Sequence, residues 1–200
     1  GVTVPTEYGG HGGEPWMQRI FREEAAGYQV HTGFFNSIIS MTLPALLKHG
    51  TEEQKKTHIP SLISGEVSWC QLFSEPGAGS DLAGLATRAE LDGEEFVIHG
   101  QKVWNSAAIY ADMGILLVRT NPDAYKHEGI TFLLFDMKQR GVEVRPLIQA
   151  NGAGHFAEVF IDGAKCHVSN VLGEVDKGWG PARAVMSNES AMIGGASGDN

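Results

Sequence analysis

The chain has 200 residues, of which 42% are hydrophobic and 20% are charged, and its formal net charge is −9. This composition is typical of a soluble globular protein of one or two domains. The acidic balance argues against a nucleic-acid partner, which would need a basic surface. No apolar run reaches the length of about 18 residues that a membrane span needs.

The two cysteines, Cys70 and Cys166, lie far apart in the sequence. Their spacing predicts free thiols in a reducing compartment and not a disulfide framework. The sequence begins at Gly1 and not at methionine, and on this ground we expect the natural N-terminus to lie further upstream.

The first third of the chain predicts three helices. Apolar side chains recur at helical spacing in residues 14–25, where a proline stands near the helix start. A second apolar helix is predicted for residues 34–48, with Pro44 inside it. Residues 51–54 have the form of a capping box and open a third helix. That helix should end near Ile59, because a residue before proline avoids the α region.

From residue 66 the apolar period changes from helical spacing to alternation. The pair Asp92-Gly93 between two strand-like runs is a strong hairpin signal. Further short strands follow at spacings of about ten residues, which predicts a small antiparallel barrel or sandwich. The fold class is therefore α+β, with an N-terminal helical domain (1–65), a β domain (66–175) and the start of a further helical domain (176–200).

A glycine-rich loop, SEPGAGSD, follows the first strand at residues 74–81. It is not a P-loop, because no Gly-Lys-Ser/Thr follows, and its glycine spacing does not match the dinucleotide fingerprint. Free backbone N–H groups beside two hydroxyls can form an anion-binding nest. The same residues can form a plain corner capped by Asp81, and the residues alone favour that reading.

A second stretch of interest is GQKVWNSAA, residues 100–108. Trp104 there can belong to the core, which is the commoner use, or can offer a flat face to an aromatic cofactor while Ser106 supplies a hydrogen bond. The eight histidines are scattered without metal-ligand spacing, so no metal site is predicted. Glu189 is a lone helical carboxylate, more typical of a solvated face than of a general base.

Taken in order, these stretches resemble the acyl-CoA dehydrogenase family, and most closely its actinobacterial members. The matching segments are PTEYGG (5–10), HGTEEQKKTHIPSLISGE (49–66), WCQLFSEPGAGSD (69–81), GQKVWNSAA (100–108), GVEVRPL (141–147), AEVFID (157–162) and GEVDKGW (173–179). The set covers nearly the whole chain, and its order is far more specific than any one segment.

The resemblance implies an N-terminal helical domain, a central β-barrel and a C-terminal four-helix domain, with FAD between the barrel and the C-terminal helices. It implies α,β-dehydrogenation of an acyl-CoA thioester, with hydride transfer to flavin N5 and electrons leaving through electron-transfer flavoprotein. It further implies a homo- or hetero-oligomer in fatty-acid or sterol side-chain catabolism. The expected location is the cytoplasm of a bacterium, or the mitochondrial matrix in a eukaryote.

The resemblance also assigns residues to the site. The cofactor-binding positions are Gln71, Phe73, Ser74, Gly79, Ser80, Trp104 and Ser106. Substrate contacts fall at Ser80, Ser187 and Ser190, and Gly79 and Ser80 stand where the cofactor meets the pantetheine or phosphate region of the substrate. The family's catalytic base is a glutamate expected beyond residue 200, and Glu189 is not that residue.

Some positions depart from the family pattern. Ser190 stands where an arginine is common, and Asn105 stands where threonine or isoleucine is common. An arginine can hold an anionic CoA group with two hydrogen bonds, which serine cannot do. These departures motivate a second hypothesis, a non-catalytic partner subunit of a heteromeric dehydrogenase. A third keeps the fold for a flavin monooxygenase or oxidase, and the 200 residues alone are expected to be inactive.

Overall fold

The computed structural model describes residues 1–28 and 33–195, and for residues 33–37 and 188–195 it describes the backbone only. The helices and strands follow in chain order. They are α1 (Pro15–Ala25), α2 (Gly33–His49), α3 (Glu52–Ser64), β1 (Trp69–Leu72), β2 (Arg88–Asp92), β3 (Glu95–Ser106), β4 (Met113–Arg119), β5 (Ile130–Asp136), β6 (Val142–Leu147), β7 (Phe156–His167) and α4 (Trp179–Gly195).

Helix α1 begins where the sequence predicts, with Pro15 in its first turn. Its large apolar side chains are not covered by the rest of the described chain. Trp16 is 53% exposed and Phe21 is 57% exposed, and no residue of α1 is buried. The amphipathic pattern therefore predicts the helix correctly but does not show what packs against it.

Helix α3 opens on the predicted capping box. The Thr51 side chain accepts a hydrogen bond from the Gln54 N–H, and the Gln54 side chain accepts one from the Thr51 N–H. The predicted end near Ile59 is wrong, because the helix continues through Pro60 to Ser64. Buried Ile59 and Leu62 hold the helix against the core on both sides of the proline, and Gly65 ends it with a φ of 79°.

The strands form a curled mixed sheet, with the order β1-β4-β2-β3-β7-β6 and with β5 paired to β4. The predicted hairpin at Asp92-Gly93 joins β2 to β3, and Gly93 supplies the positive φ of 64°. Helices followed by a small barrel-like sheet are thus confirmed. The pairing is antiparallel in most places, but β1 and β2 run parallel to β4.

Strands β4 and β5 separate two apolar cores. Along β4, Ile115 and Leu117 face the core shared with the helices, whereas Leu116 and Val118 face the interior of the curled sheet. Residues of β5 alternate in the same way, and nearly all of them are buried. Because successive side chains of a strand point to opposite faces, one strand can serve both cores.

Helix α4 is set over the sheet by the turn that precedes it. Gly178 donates its N–H to the Ile130 carbonyl at 2.7 Å, and a Cβ at Gly178 would lie 2.4 Å from the Phe132 nitrogen. Only glycine permits this close approach. The turn thereby places Trp179 at the edge of the sheet. No helix in the described ranges is long and apolar enough to cross a membrane.

Candidate functional site

A cavity of about 750 Å³ lies between the sheet and the helices α2 and α4, which belong to what we call the helical layer. Its apolar side comes from α2, α4 and the face of β1 that points toward the helices, and its polar side comes from the loop after β1 and the end of β3. All seven predicted cofactor positions line it, namely Gln71, Phe73, Ser74, Gly79, Ser80, Trp104 and Ser106. The structure therefore brings together residues that are up to 35 positions apart in the sequence.

The glycine-rich loop is a closed turn. Glu75 and Ala78 exchange two backbone hydrogen bonds of 3.0 Å, which places Pro76 and Gly77 at the tip. An ideal Cβ on Gly77 or Gly79 would meet no heavy atom within 4 Å, so contacts within the chain do not require glycine there. The space beside Gly79, which lines the cavity, leaves room for a ligand, and the anion-binding nest stays a prediction.

Trp104 is held in an unusual backbone conformation. Its φ is 63°, a left-handed value that is rare for a bulky side chain. The pairing of β3 with β7 shifts register between Lys102 and Asn105, so Trp104 lies in a bulge. Trp104 is 63% exposed, and its indole and the Phe156 ring form an edge-to-face pair with 6.2 Å between centroids.

The bulge presents the Trp104 indole to the cavity while its neighbours are buried. Val103 is 7% exposed and Asn105 is 2% exposed. Backbone strain of this kind costs about 1–3 kcal/mol and tends to occur at functional sites. A flat aromatic face beside the Ser106 hydroxyl suits a planar ligand with a polar edge.

A buried ion pair lies directly behind the loop. The Lys102 ammonium donates to a Glu75 carboxylate oxygen at 2.8 Å and to the Phe73 carbonyl at 3.1 Å. The Lys102 side chain is fully buried and the Glu75 side chain is 7% exposed. Glu75 also accepts the N–H groups of Ala86 and Thr87 at 2.6 and 3.0 Å.

Burial shifts the titration of both partners. It lowers the pKa of Lys102 to about 8, although the Glu75 carboxylate acts in the opposite direction. Burial alone would raise the pKa of Glu75, but Lys102 and the neighbouring N–H groups together hold it below its ordinary value. The pair is therefore charged at neutral pH.

Sequence reasoning missed both members of this pair. The available signal was the position of Lys102 on an alternating strand. Phe96 and Ile98 are buried on the inward face of β3, and Lys102 continues that face. A lysine at an inward position predicts a buried acidic partner, because an unpaired buried charge is very costly.

The rim of the cavity includes His127, which lies in the segment between β4 and β5. Arg119 donates to the carbonyls of Lys126, Glu128 and Ala83 at 2.6 to 2.8 Å. These bonds place the His127 ring against Trp179, with 4.5 Å between centroids, and both residues line the cavity.

The predicted substrate contacts are only partly brought to the cavity. Ser80 lines it, whereas Ser187 is exposed on α4 outside the lining and donates its hydroxyl to the Arg183 carbonyl at 2.8 Å. The side chains of Ser190 and Glu189 lie outside the described residues.

The cysteines take no part in the cavity. Cys70 and Cys166 are free, buried thiols, and burial raises the pKa of each to about 12. Thiols with so high a pKa are poor nucleophiles. In the described part of the chain, no group of three or more His, Cys, Asp or Glu residues is arranged to hold a metal ion.

The fold is thus a helical layer over a curled mixed sheet, with the cavity between them. Two family models match the chain: "Acyl-CoA dehydrogenase, N-terminal domain" over residues 1–66 and "Acyl-CoA dehydrogenase, middle domain" over residues 70–164. The chain therefore belongs to the acyl-CoA dehydrogenase family.

Individual relatives agree with this assignment. Acyl-CoA dehydrogenase FadE34 of Mycobacterium tuberculosis is 43% identical over 190 residues, which are 94% of this chain and 26% of that protein. Two solved structures are each 35% identical, and each alignment covers 94% of this chain and 48% of the other. They are "Tcur3481-Tcur3483 steroid ACAD", with a TM-score of 0.81, and the ChsE4-ChsE5 complex from Mycobacterium tuberculosis, with a TM-score of 0.78. The chain thus spans a quarter to a half of the proteins it matches.

Proposed function

We propose that the complete gene product containing this chain catalyses FAD-dependent α,β-dehydrogenation of an acyl-CoA thioester. The observation that carries the proposal is the convergence of all seven predicted cofactor positions on one cavity. That cavity combines a strained, exposed indole with hydroxyls and an open glycine backbone. Seven positions that served only core packing would not be expected to line one cavity together.

The residues present fit FAD. The Trp104 face suits the flavin ring, and the Ser74 and Ser106 hydroxyls can donate to or accept from its polar edge. The open backbone around Gly79 and the Ser80 hydroxyl offer neutral donors to phosphate or pantetheine groups, which matters in a chain with a net charge of −9. When bound, FAD supplies the hydride acceptor at N5, and the chain's own residues bind and orient the reactants.

The substrate is proposed to be an acyl-CoA thioester, with Ser80 as the contact that the cavity geometry supports. Ser187 and Ser190 remain proposed contacts on α4. We name no catalytic base within the 200 residues. The matching structure described as a steroid ACAD supports a thioester from sterol side-chain or fatty-acid catabolism as the substrate class. Electron-transfer flavoprotein is the proposed electron acceptor, and the cytoplasm is the proposed location.

We propose the division into an N-terminal helical domain (1–65), a β domain (66–175) and the start of a C-terminal helical domain (176–200). A homo- or hetero-oligomer is the proposed assembly.

A second candidate function, a partner subunit without its own catalytic site, is favoured by one specific observation. The two matching structures carry paired names, Tcur3481-Tcur3483 and ChsE4-ChsE5, the second being described as a complex.

The test is made on the complete gene product, purified alone and with candidate partner subunits. We expect a yellow protein that binds FAD and whose flavin is reduced anaerobically by an acyl-CoA from a panel that includes steroid thioesters. A colourless protein that takes up no FAD in equilibrium dialysis would contradict the cofactor proposal. FAD binding without reduction by any acyl-CoA would favour the monooxygenase or oxidase alternative, and reduction only in the presence of a partner would favour the partner-subunit function.

A further inference from the structure

The polar side of the cavity comes from the loop after β1 and from the end of β3, and these two strands are not neighbours in the sheet. Strand β1 pairs with β4, and β4 and β2 stand between β1 and β3 in the sheet order. Even so, the end of β1 and the end of β3 meet at the cavity. The ordinary strand ladder therefore does not fix the distance between the glycine-rich loop and Trp104.

Three hydrogen bonds bridge this gap, and we refer to them as the seam. The Lys102 ammonium donates to the Phe73 carbonyl, the Val103 N–H donates to the Ser74 carbonyl at 2.9 Å, and the Asn105 side-chain amide donates to the Gln71 carbonyl at 2.8 Å. Two of the three donors are side chains. Each acceptor is a backbone carbonyl of a residue that lines the cavity.

The Lys102–Glu75 pair extends the seam to a third segment. Glu75 lies in the loop itself, and its carboxylate accepts the N–H groups of Ala86 and Thr87, which follow the short helix Leu82–Gly84. One buried ion pair thus contacts the end of β1, the loop, the segment after that helix, and β3. The end of β1, the loop and β3 contribute residues to the cavity lining, whereas Ala86 and Thr87 do not.

A buried ion pair is a weak source of stability, because desolvation of both charges offsets their attraction. Apolar or neutral replacements of both partners are often tolerated, whereas loss of one partner leaves an uncompensated charge. Stability alone therefore does not explain why a buried lysine and a buried glutamate occupy these two positions. Its ammonium holds the carbonyl of Phe73, and its backbone lies two residues before Trp104.

We propose that Lys102 and Glu75 are positioning residues that set the glycine-rich loop, residues 74–80, against Trp104 and Ser106 so that the loop and the end of β3 contact one ligand. The identity of that ligand as FAD rests on the proposed function. The geometric part of the proposal concerns the ligand-free chain and is measurable without FAD.

The test uses the complete gene product and the double variant Lys102→Met/Glu75→Gln, which removes both charges and keeps an acceptor for the Ala86 or Thr87 N–H. The matched control is Lys165→Met/Glu95→Gln. That pair has the same residue types, also involves β3, and has the same 2.8 Å distance, but is exposed to solvent. Glu75→Asp, which keeps both charges but shortens the reach of the carboxylate, replaces the double variant if circular dichroism shows that the double variant does not fold.

The first readout is backbone hydrogen exchange, measured without ligand by mass spectrometry. We expect faster exchange in peptides covering residues 74–80 and 103–107 of the double variant, and unchanged exchange at the start of β3. The control variant should exchange like the wild type throughout. Unchanged exchange in 74–80 and 103–107 would overturn the proposal.

The second readout is the FAD dissociation constant together with the absorption spectrum of the bound flavin. We expect binding weaker by about tenfold or more, with an altered spectrum, in the double variant only. Wild-type affinity with a wild-type spectrum would overturn the positioning role. If the wild type itself binds no FAD, the proposed function fails, and the exchange experiment still decides whether the pair positions the loop.

Discussion

The two ends of β3 are held in place by different kinds of interaction. At residues 95–98 the strand pairs in register with β2 and β7, and its side chains alternate so that Phe96 and Ile98 are buried. At residues 102–106 the register shifts, an aromatic residue takes a left-handed φ, and a lysine is buried. Regular strand pairing and side-chain alternation fix the conformation of the first end, whereas individual hydrogen bonds from side chains fix the cavity end.

The largest expected contrast is between two lysines that pair with glutamates. Lys102→Met should cost about 3–5 kcal/mol of unfolding free energy, because it leaves the Glu75 carboxylate buried without its partner. Lys165→Met removes an exposed partner of Glu95 and should cost far less, because solvent screens an exposed ion pair. Urea unfolding of both variants at neutral pH checks the difference. Equal costs would show that the two ends of β3 do not differ electrostatically.

The unfolding free energy should also depend on pH with opposite signs for these two lysines. The change with pH should be smaller than the change caused by Lys102→Met, because titration removes only a proton and leaves the side chain in place. Burial lowers the pKa of Lys102 from 10.5 to about 8, so from pH about 8 to 10.5 the unfolded chain binds the proton and the folded chain does not. The stability of the wild type relative to Lys102→Met should therefore rise with pH in that window.

For Lys165, the hydrogen bond to Glu95 raises the pKa above its ordinary value of 10.5. The folded chain then holds its proton longer than the unfolded chain. The stability of the wild type relative to Lys165→Met should be fully present below pH 10.5 and fall as the pH rises through the folded pKa. Unfolding curves in urea at several pH values test both signs, and parallel pH profiles for the two variants would contradict the assignment.

A smaller effect is expected for the third bond of the seam. Asn105→Ala leaves the Gln71 carbonyl without its side-chain donor and should cost about 1–2 kcal/mol. Part of the loss is offset, since the Asn105 side-chain oxygen is itself buried without a partner. Gln101→Ala breaks a half-buried bond to Glu158 and should stay within about 0.5 kcal/mol. Thermal unfolding of both variants gives the comparison.

Among the residues that line the cavity, the smallest effect on stability is expected for Trp104→Gly, at less than about 1 kcal/mol. Glycine relieves the left-handed strain at φ 63°, which offsets the loss of the buried part of Trp104. The matched control is Leu91→Gly on β2, where the side chain is 59% exposed and the ladder is regular, and its cost should be about 1 kcal/mol. A clear destabilisation by Trp104→Gly would show that the indole is structural.

Periodicity alone predicts much of this chain, because alternation and capping are local. The hairpin at Asp92-Gly93 and the start of α3 follow directly from such signals. The parallel pairing of β1 with β4 has no local signal, since it depends on how the sheet curls. The same holds for the bond between Asn105 and Gln71. Asn105 is a departure from the family pattern in the sequence, and in the structure its side chain joins two strands.

The predicted cofactor positions have a different origin. Ordered resemblance to a family supplies them, since a glycine-rich loop or a tryptophan alone favours the plain interpretation. The end of α3 shows the limit of a local rule. The residue before Pro60 should leave the helix, but burial of Ile59 and Leu62 outweighs that preference.

The alternation along β4 has a mechanical consequence. Because neighbouring side chains of one strand belong to opposite cores, neither core can loosen without disturbing the backbone that the other depends on. The helical layer and the curled sheet should therefore melt in a single cooperative transition, despite matching two separate domain families. Amides of β4 and β5 should exchange only when the whole described body opens.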